Sequence, residues 1–139
     1  MKKLYIDIDG IILSTRPTKA ANFAVPFIHY IIENFDCYWL TTHCKGDTGN
    51  ALKYLKKYFD EDTMSLLQKI KPTNWKNQKT EAIDFTSDFL WIEDNPMGDE
   101  RAVLKTLPIA IGTATDRLLL LEENNPDALL QLISILRKK

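Results

Sequence analysis

Two aspartates, Asp7 and Asp9, stand two residues apart at the end of the run Lys3-Leu4-Tyr5-Ile6, with Gly10 directly behind them. Residues i and i+2 project from the same face of a strand, so both acids can converge on one point. That point lies where a strand leaves its sheet, the place where open α/β sheets bind their ligands. Glycine next in line allows a sharp exit and a close backbone approach. Paired carboxylates in such a position suit a metal and phosphate site. The competing reading is a pair of solvated aspartates capping a turn.

Two further apolar runs end in polar groups that a core would not want: Leu40-Thr41-Thr42-His43 and Ile92-Glu93-Asp94-Asn95. Parallel strands bring such ends to one sheet edge, so Asp7, Asp9, Thr41, Glu93 and Asp94 are expected to cluster. Crowded carboxylates repel one another unless a cation joins them. A hard divalent ion with oxygen ligands, Mg²⁺ above all, resolves the conflict and leaves sites for water and a phosphate. A lysine opposite completes an anion site, and Lys79, ahead of the acidic run, is placed for it.

The elements that must position these residues alternate in type. Lys3–Ile8 reads as a first strand, Pro26 opens a helix running to about Asn34, and Cys37–Thr41 reads as a second strand. Gly46-Asp47-Thr48 starts a helix carrying Leu52, Tyr54, Leu55 and Tyr58, and Asp62–Lys69 forms another. Lys69-Ile70-Lys71 makes a brief strand stopped by Pro72, and Trp75–Phe85 reads as helical. Phe89–Ile92 is an apolar strand of the kind buried on both faces. Leu107–Ile111 reads as the last strand, and Asn125-Pro126 opens a terminal helix. The alternation predicts a small doubly wound α/β domain with a mostly parallel sheet and helices on both faces. No repeat, low-complexity tract or linker divides it, so residues 1–139 read as one domain.

Composition agrees with that class. The 139 residues are 45% hydrophobic and 27% charged, ordinary for a globular chain able to bury one sizeable core. No apolar run approaches the roughly 20 residues that span a bilayer, so no membrane partner is expected. Met1-Lys2-Lys3 leads straight into a strand without a secretory leader pattern. Two cysteines, Cys37 and Cys44, make no disulfide framework and suit the cytoplasm. Net charge is −1, but residues 45–79 hold eight lysines against four acids. That stretch either attracts a polyanion or forms a solvated helix face.

The order Asp-x-Asp-Gly, strand-end Thr41, Lys79 and the strand-end pair Glu93-Asp94 resembles the haloacid dehalogenase superfamily of Mg²⁺-dependent phosphohydrolases. These motifs run from Asp7 to Asp94, about two thirds of the chain. The resemblance implies a Rossmann-like sheet of about five strands with the first strand central. It makes Asp7 the nucleophile that forms an aspartyl-phosphate. Asp9 becomes the acid that protonates the leaving oxygen and then the base that activates water. Thr41 and the Thr42 N–H would hold phosphoryl oxygens, and Lys79 would balance the charge on nucleophile and phosphoryl group. Asp94 would hold Mg²⁺ with the Asp7 carboxylate and the Asp9 carbonyl.

The chain departs from the family pattern in two places. Ile11 stands where Thr or Val is usual, and Glu93-Asp94 stands where Asp-Asp or Gly-Asp is commoner; the longer arm of Glu93 leaves metal ligation to Asp94. Asp99 is either a trailing acid of the metal site or a helix cap. Lys76 competes with Lys79, which the pattern Lys79-Thr80-Glu81-Ala82-Ile83 favours. Fewer than forty residues separate Asp9 from Thr41, and fewer than forty Thr41 from Lys79, which implies a member without a cap domain. An open site either admits phosphates on large molecules or is closed by a second copy of the chain. Ile11–Ala24 is left as a small flap, with Arg16 a candidate substrate contact.

His43 reads as an exposed loop histidine or a substrate contact, and Cys44 lacks a partner for catalysis. Two cysteines and two histidines at irregular spacing do not make a zinc site. Trp39 and Trp91 read as core, Trp75 as helix-start packing or a ring that stacks on a base, and His29 as a core or boundary residue. The function these residues favour is a phosphomonoester hydrolase acting on a phosphorylated small molecule, a nucleotide or a nucleic-acid end. Its rivals are a non-catalytic phosphate-binding domain that keeps the pocket, and a phospho-accepting receiver domain. The receiver is disfavoured because the acidic pair follows the lysine.

Overall fold

Lys3–Ile6 forms the first strand, β1, and lies inside a parallel sheet, paired with one neighbour on each side. The computed structural model describes residues 1–15, 17–93, 118–121 and 125–138. Along the chain follow an antiparallel hairpin, β2 (Leu13–Thr15) and β3 (Thr18–Ala20), then α1 (Ala24–Asn34) and β4 (Asp36–Trp39). Next come α2 (Gly49–Leu55), α3 (Glu61–Leu67), a 3₁₀ turn over Lys79–Ala82 and β5 (Phe89–Glu93). β6 (Leu118–Leu120) and α4 (Ala128–Leu136) complete the described elements.

The main sheet has the order β4-β1-β5-β6, and every pairing in it is parallel. From β1 the chain moves to one side to make β4, then crosses back to make β5 on the other side of β1. The direction of winding therefore reverses between β1 and β5, and the carboxyl ends of these two strands flank the reversal. Such a point is where open α/β sheets leave a crevice.

The two faces of the sheet are covered differently. Leu4, Ile6, Cys37, Trp39, Leu90 and Ile92 join the buried sides of the four described α-helices in one core. The alternate residues Tyr5, Phe89 and Trp91 form a second cluster with Leu40 and Ile83, flanked by Trp75, Ala82 and Phe85. Full burial of such side chains contributes roughly 1.5–3 kcal/mol each. β5 is buried along its whole length, as a strand covered on both faces should be.

Several expectations need correction. Among the described residues the segment 75–85, expected as a helix, is irregular and packs on the second face of the sheet. Only Lys79–Ala82 is helical there. The Glu81 carboxylate accepts the N–H groups of Asn77 and Gln78 at 3.0 and 2.7 Å, so it caps a helical turn that cannot begin before Lys79. Asp84 then accepts the Thr86 N–H at 3.0 Å and turns the chain toward β5. Lys71 makes an isolated bridge to Tyr38 where a third strand was expected. His29 is exposed, because the buried stripe of α1 is Ala24, Phe27, Ile28 and Ile31. Leu107–Ile111 lies outside the described residues, while β6 arises from a leucine run that carries no period of its own.

Phe23, the residue before α1, has φ 64° and is 42% exposed. A side chain in the left-handed region costs roughly 1–2 kcal/mol, and this one recovers little by burial. Phe23→Gly is expected to raise the unfolding free energy by about 0.5–1 kcal/mol. A urea midpoint at or below that of the wild type would show that packing of the ring outweighs the strain.

Candidate active site

The site begins with the register of β1 and β5. Tyr5 pairs with Trp91, so two residues on, Asp7 and Glu93 leave neighbouring strands at the same level. Both follow the alternation of Tyr5 and Trp91 onto the second face of the sheet. The segment covering that face delivers Lys79 between them. Its Nζ donates to Asp7 Oδ2 and to Glu93 Oε2, each at 2.7 Å. Asp7 is 9% exposed and Glu93 2%. The other oxygen of Asp7 accepts the N–H of Ile8 at 2.7 Å.

Burial pushes the Lys79 ammonium toward its neutral form, but the Asp7 and Glu93 carboxylates outweigh it and hold the pKa above the ordinary 10.5. The amine therefore stays charged at neutral pH. Two carboxylates around one ammonium leave surplus negative charge, which repels a phosphate unless a further cation is present. Lys76 is exposed. Its neighbour three residues on reaches Asp7, because the Glu81 cap orients the turn.

Asp9 belongs to a different cluster. The Tyr54 hydroxyl donates to Asp9 Oδ1 at 2.8 Å, and His43 Nε2 lies 2.8 Å from Asp9 Oδ2. The His43 and Tyr54 rings stack, with centroids 4.3 Å apart and planes at 19°. Burial, and next the hydrogen bond to Asp9, push the Tyr54 phenol up to about 12, so it remains a donor at neutral pH. Neither contact is legible in the sequence as an Asp9 partner. Tyr54 shows there only as an apolar-stripe residue, and its partner lies 45 positions away.

Thr41 follows β4 and is fully buried. Extending the β1–β4 register, which pairs Ile6 with Trp39, sets Thr41 opposite Ile8, one step past Asp7. Its Oγ1 accepts the His43 N–H at 3.3 Å and its carbonyl the Cys44 N–H at 3.2 Å. Thr42 is exposed at the tip of this turn, and its own N–H takes no part in those two bonds. The Cys44 thiol is buried, its pKa raised by that burial, and it donates to the Asp47 carbonyl at 3.1 Å. A thiol held protonated is a poor nucleophile. Lys45 sits 4.2 Å over the Trp75 ring, so Trp75 is half-buried packing with a cation on its outer face.

Asp94, Asp99 and Arg16 lie outside the described residues. Among the described residues no three His, Cys, Asp or Glu side chains converge as a metal cluster. The donors present are nevertheless of the right kind for a hard cation. Leu13 N–H bonds the Ile8 carbonyl at 3.2 Å and Gly10 N–H bonds the Leu13 carbonyl at 2.8 Å. These bonds step over the Asp9 peptide and do not use its carbonyl oxygen. Gly10 itself has φ 83°, a conformation that glycine adopts without strain.

A cavity of about 830 Å³ opens on the other side of this loop, between the β2–β3 hairpin and the start of α4. Its walls include Gly10, Ile11, Ser14, Lys19 and Asn125, but not Asp7, Thr41 or Lys79. The charged cluster at the strand ends, not this cavity, therefore defines the candidate site. No helix among the described residues is long and apolar enough to cross a membrane. No protein-family model matches the chain, and neither a curated protein nor a solved structure is similar to it.

Proposed function

We propose that the chain is a Mg²⁺-dependent phosphomonoester hydrolase of the haloacid dehalogenase type, on a Rossmann-like doubly wound scaffold. One observation carries this reading: Asp7, at the carboxyl end of an interior parallel strand, is held by a half-buried lysine that it shares with Glu93. A carboxylate oriented in this way at a winding reversal is what an attack on phosphorus requires.

In the proposed reaction Asp7 Oδ attacks phosphorus in line with the ester oxygen, and the phosphorus–oxygen bond to the leaving alcohol breaks. Asp9 gives its proton to that oxygen. The aspartyl-phosphate is then attacked at phosphorus by a water that Asp9 deprotonates, releasing inorganic phosphate and restoring Asp7. Thr41 Oγ1 and the Thr42 N–H bind phosphoryl oxygens, and Lys79 offsets the charge gathering on nucleophile and phosphoryl group. The Asp7 carboxylate, the Asp9 carbonyl and Asp94 would hold Mg²⁺, which would supply charge neutralisation. Nearly all the catalytic work is positioning and electrostatics. Lysines of the 45–79 stretch favour a nucleotide or nucleic-acid end as the carrier of the phosphate.

Hydrolysis of p-nitrophenyl phosphate tests the reading. Turnover should require Mg²⁺, vanish with a chelator and return on adding excess Mg²⁺. Inactivity across a broad panel of phosphate esters would replace this function by phosphate binding. Stable phosphorylation from acetyl phosphate without turnover would point to a receiver. If a nucleic-acid end is the substrate, KM for a phosphorylated oligonucleotide should rise steeply with salt; a salt-independent KM would remove the lysines from the argument.

A further inference from the structure

The Asp9 side chain is 41% exposed, and an exposed carboxylate ordinarily samples several rotamers. Here each oxygen has a partner from a different element. Tyr54 comes from α2, and His43 from the turn after β4. Their rings stack into one slab, and Tyr58 braces Tyr54 edge-on with centroids 5.6 Å apart. The His43 N–H also rests on Thr41 Oγ1 at 3.3 Å. A single turn thus touches both Thr41 and Asp9.

We infer that His43 and Tyr54 are positioning residues that hold Asp9 for proton transfer and tie its orientation to the phosphate-binding turn. This inference rests on the phosphatase reading. The two oxygens of a carboxyl group together carry about four lone-pair sites. The clamp takes one on each oxygen and leaves one on each for exchanging a proton with the leaving oxygen or with water. Exposed ion pairs add little to stability, so a contact built from stacked rings on a part-exposed acid is better explained by orientation than by folding. General acids work only when aimed: misplacement by about an ångström can cost on the order of 10²-fold in rate.

Leaving groups separate this role from a structural one. p-Nitrophenolate departs readily without a proton, whereas the alkoxide of benzyl phosphate does not. The ratio of kcat/KM on p-nitrophenyl phosphate to kcat/KM on benzyl phosphate, which reports only the step that expels the leaving group and not the shared hydrolysis of the intermediate, should rise by about 10²-fold in Tyr54→Phe. His43→Gln should raise the same ratio, and Asp9→Asn should raise it at least as far. Tyr54→Phe removes a single oxygen, and His43→Gln gives an independent reading should that variant fold poorly. Equal losses of kcat/KM on both esters, or an unchanged ratio in both variants, would overturn the clamp while leaving the phosphatase intact. A wild-type protein that hydrolyses neither ester would overturn the phosphatase reading and the clamp with it.

Discussion

Asp7→Asn is expected to lower phosphatase turnover by at least about 10³-fold while leaving the protein folded. The amide matches the carboxylate in shape but is a poor nucleophile toward phosphorus, so no aspartyl-phosphate forms. Folding should survive because Lys79 keeps Glu93, 2.7 Å away. The surplus negative charge of the cluster also disappears. Inorganic phosphate should therefore bind the variant at least as tightly as the wild type. That combination, lost turnover with retained phosphate affinity, is hard to obtain from a folding defect. Turnover within tenfold of wild type, measured on protein free of wild-type contamination, would remove Asp7 from the chemistry.

Lys79→Met should have the largest effect on stability. The lysine side chain is 13% exposed, and its removal leaves two buried carboxylates facing each other across neighbouring strands. Breaking a buried ion cluster by deleting one partner costs about 3–5 kcal/mol. Turnover should fall by about 10²-fold or more, since a charge aimed at the reacting group is lost. Adding Glu93→Gln to the variant should recover part of the stability, because it removes one of the two like charges that Lys79 separated.

The sign of the pH dependence follows from the raised pKa of Lys79. A raised folded value means that its contribution is fully present below about 10.5 and is lost as pH climbs through the higher folded value. Wild type and Lys79→Met should thus differ by a constant amount across neutral pH and converge only in strong alkali. A difference under about 1 kcal/mol at pH 7, the scale of a solvated surface pair, would contradict the buried cluster.

Strands β1, β4 and β5 were the most legible part of the fold. Phe89–Ile92 is apolar without interruption, and that pattern alone requires a strand covered on both faces. Once such strands are taken as parallel, their polar ends must share an edge, which is why Asp7, Thr41 and Glu93 can be grouped before any coordinates are known. The segment 75–85 was misread because its apolar residues suit a helix about as well as a sheet-packing loop. The deciding contact is the Glu81 carboxylate on two backbone N–H groups, a local cap that competes with helix extension.

The role of Glu93 as a second anion for Lys79 was likewise hidden. Composition and order place it near the site, but only the one-to-one register of β1 and β5 sets it level with Asp7. The Asp9 clamp was the least legible, because stacking of His43 on Tyr54 depends on where α2 docks after the turn and no spacing rule encodes that. β6 escaped detection for a simpler reason: a run of leucines has neither a strand period nor a helix period.

The central claim is covalent phosphorylation of Asp7, and trapping the intermediate tests it most directly. Enzyme turning over p-nitrophenyl phosphate with Mg²⁺ is quenched in acid and reduced with borohydride, which converts an acyl phosphate to the alcohol. The peptide carrying residues 4–19 is then sequenced by mass spectrometry. The account predicts that Asp7 alone is converted to homoserine, that Asp9 is untouched, and that omitting the substrate abolishes the conversion. Undiminished turnover with Asp7 unreduced, or reduction at another carboxylate, would contradict it.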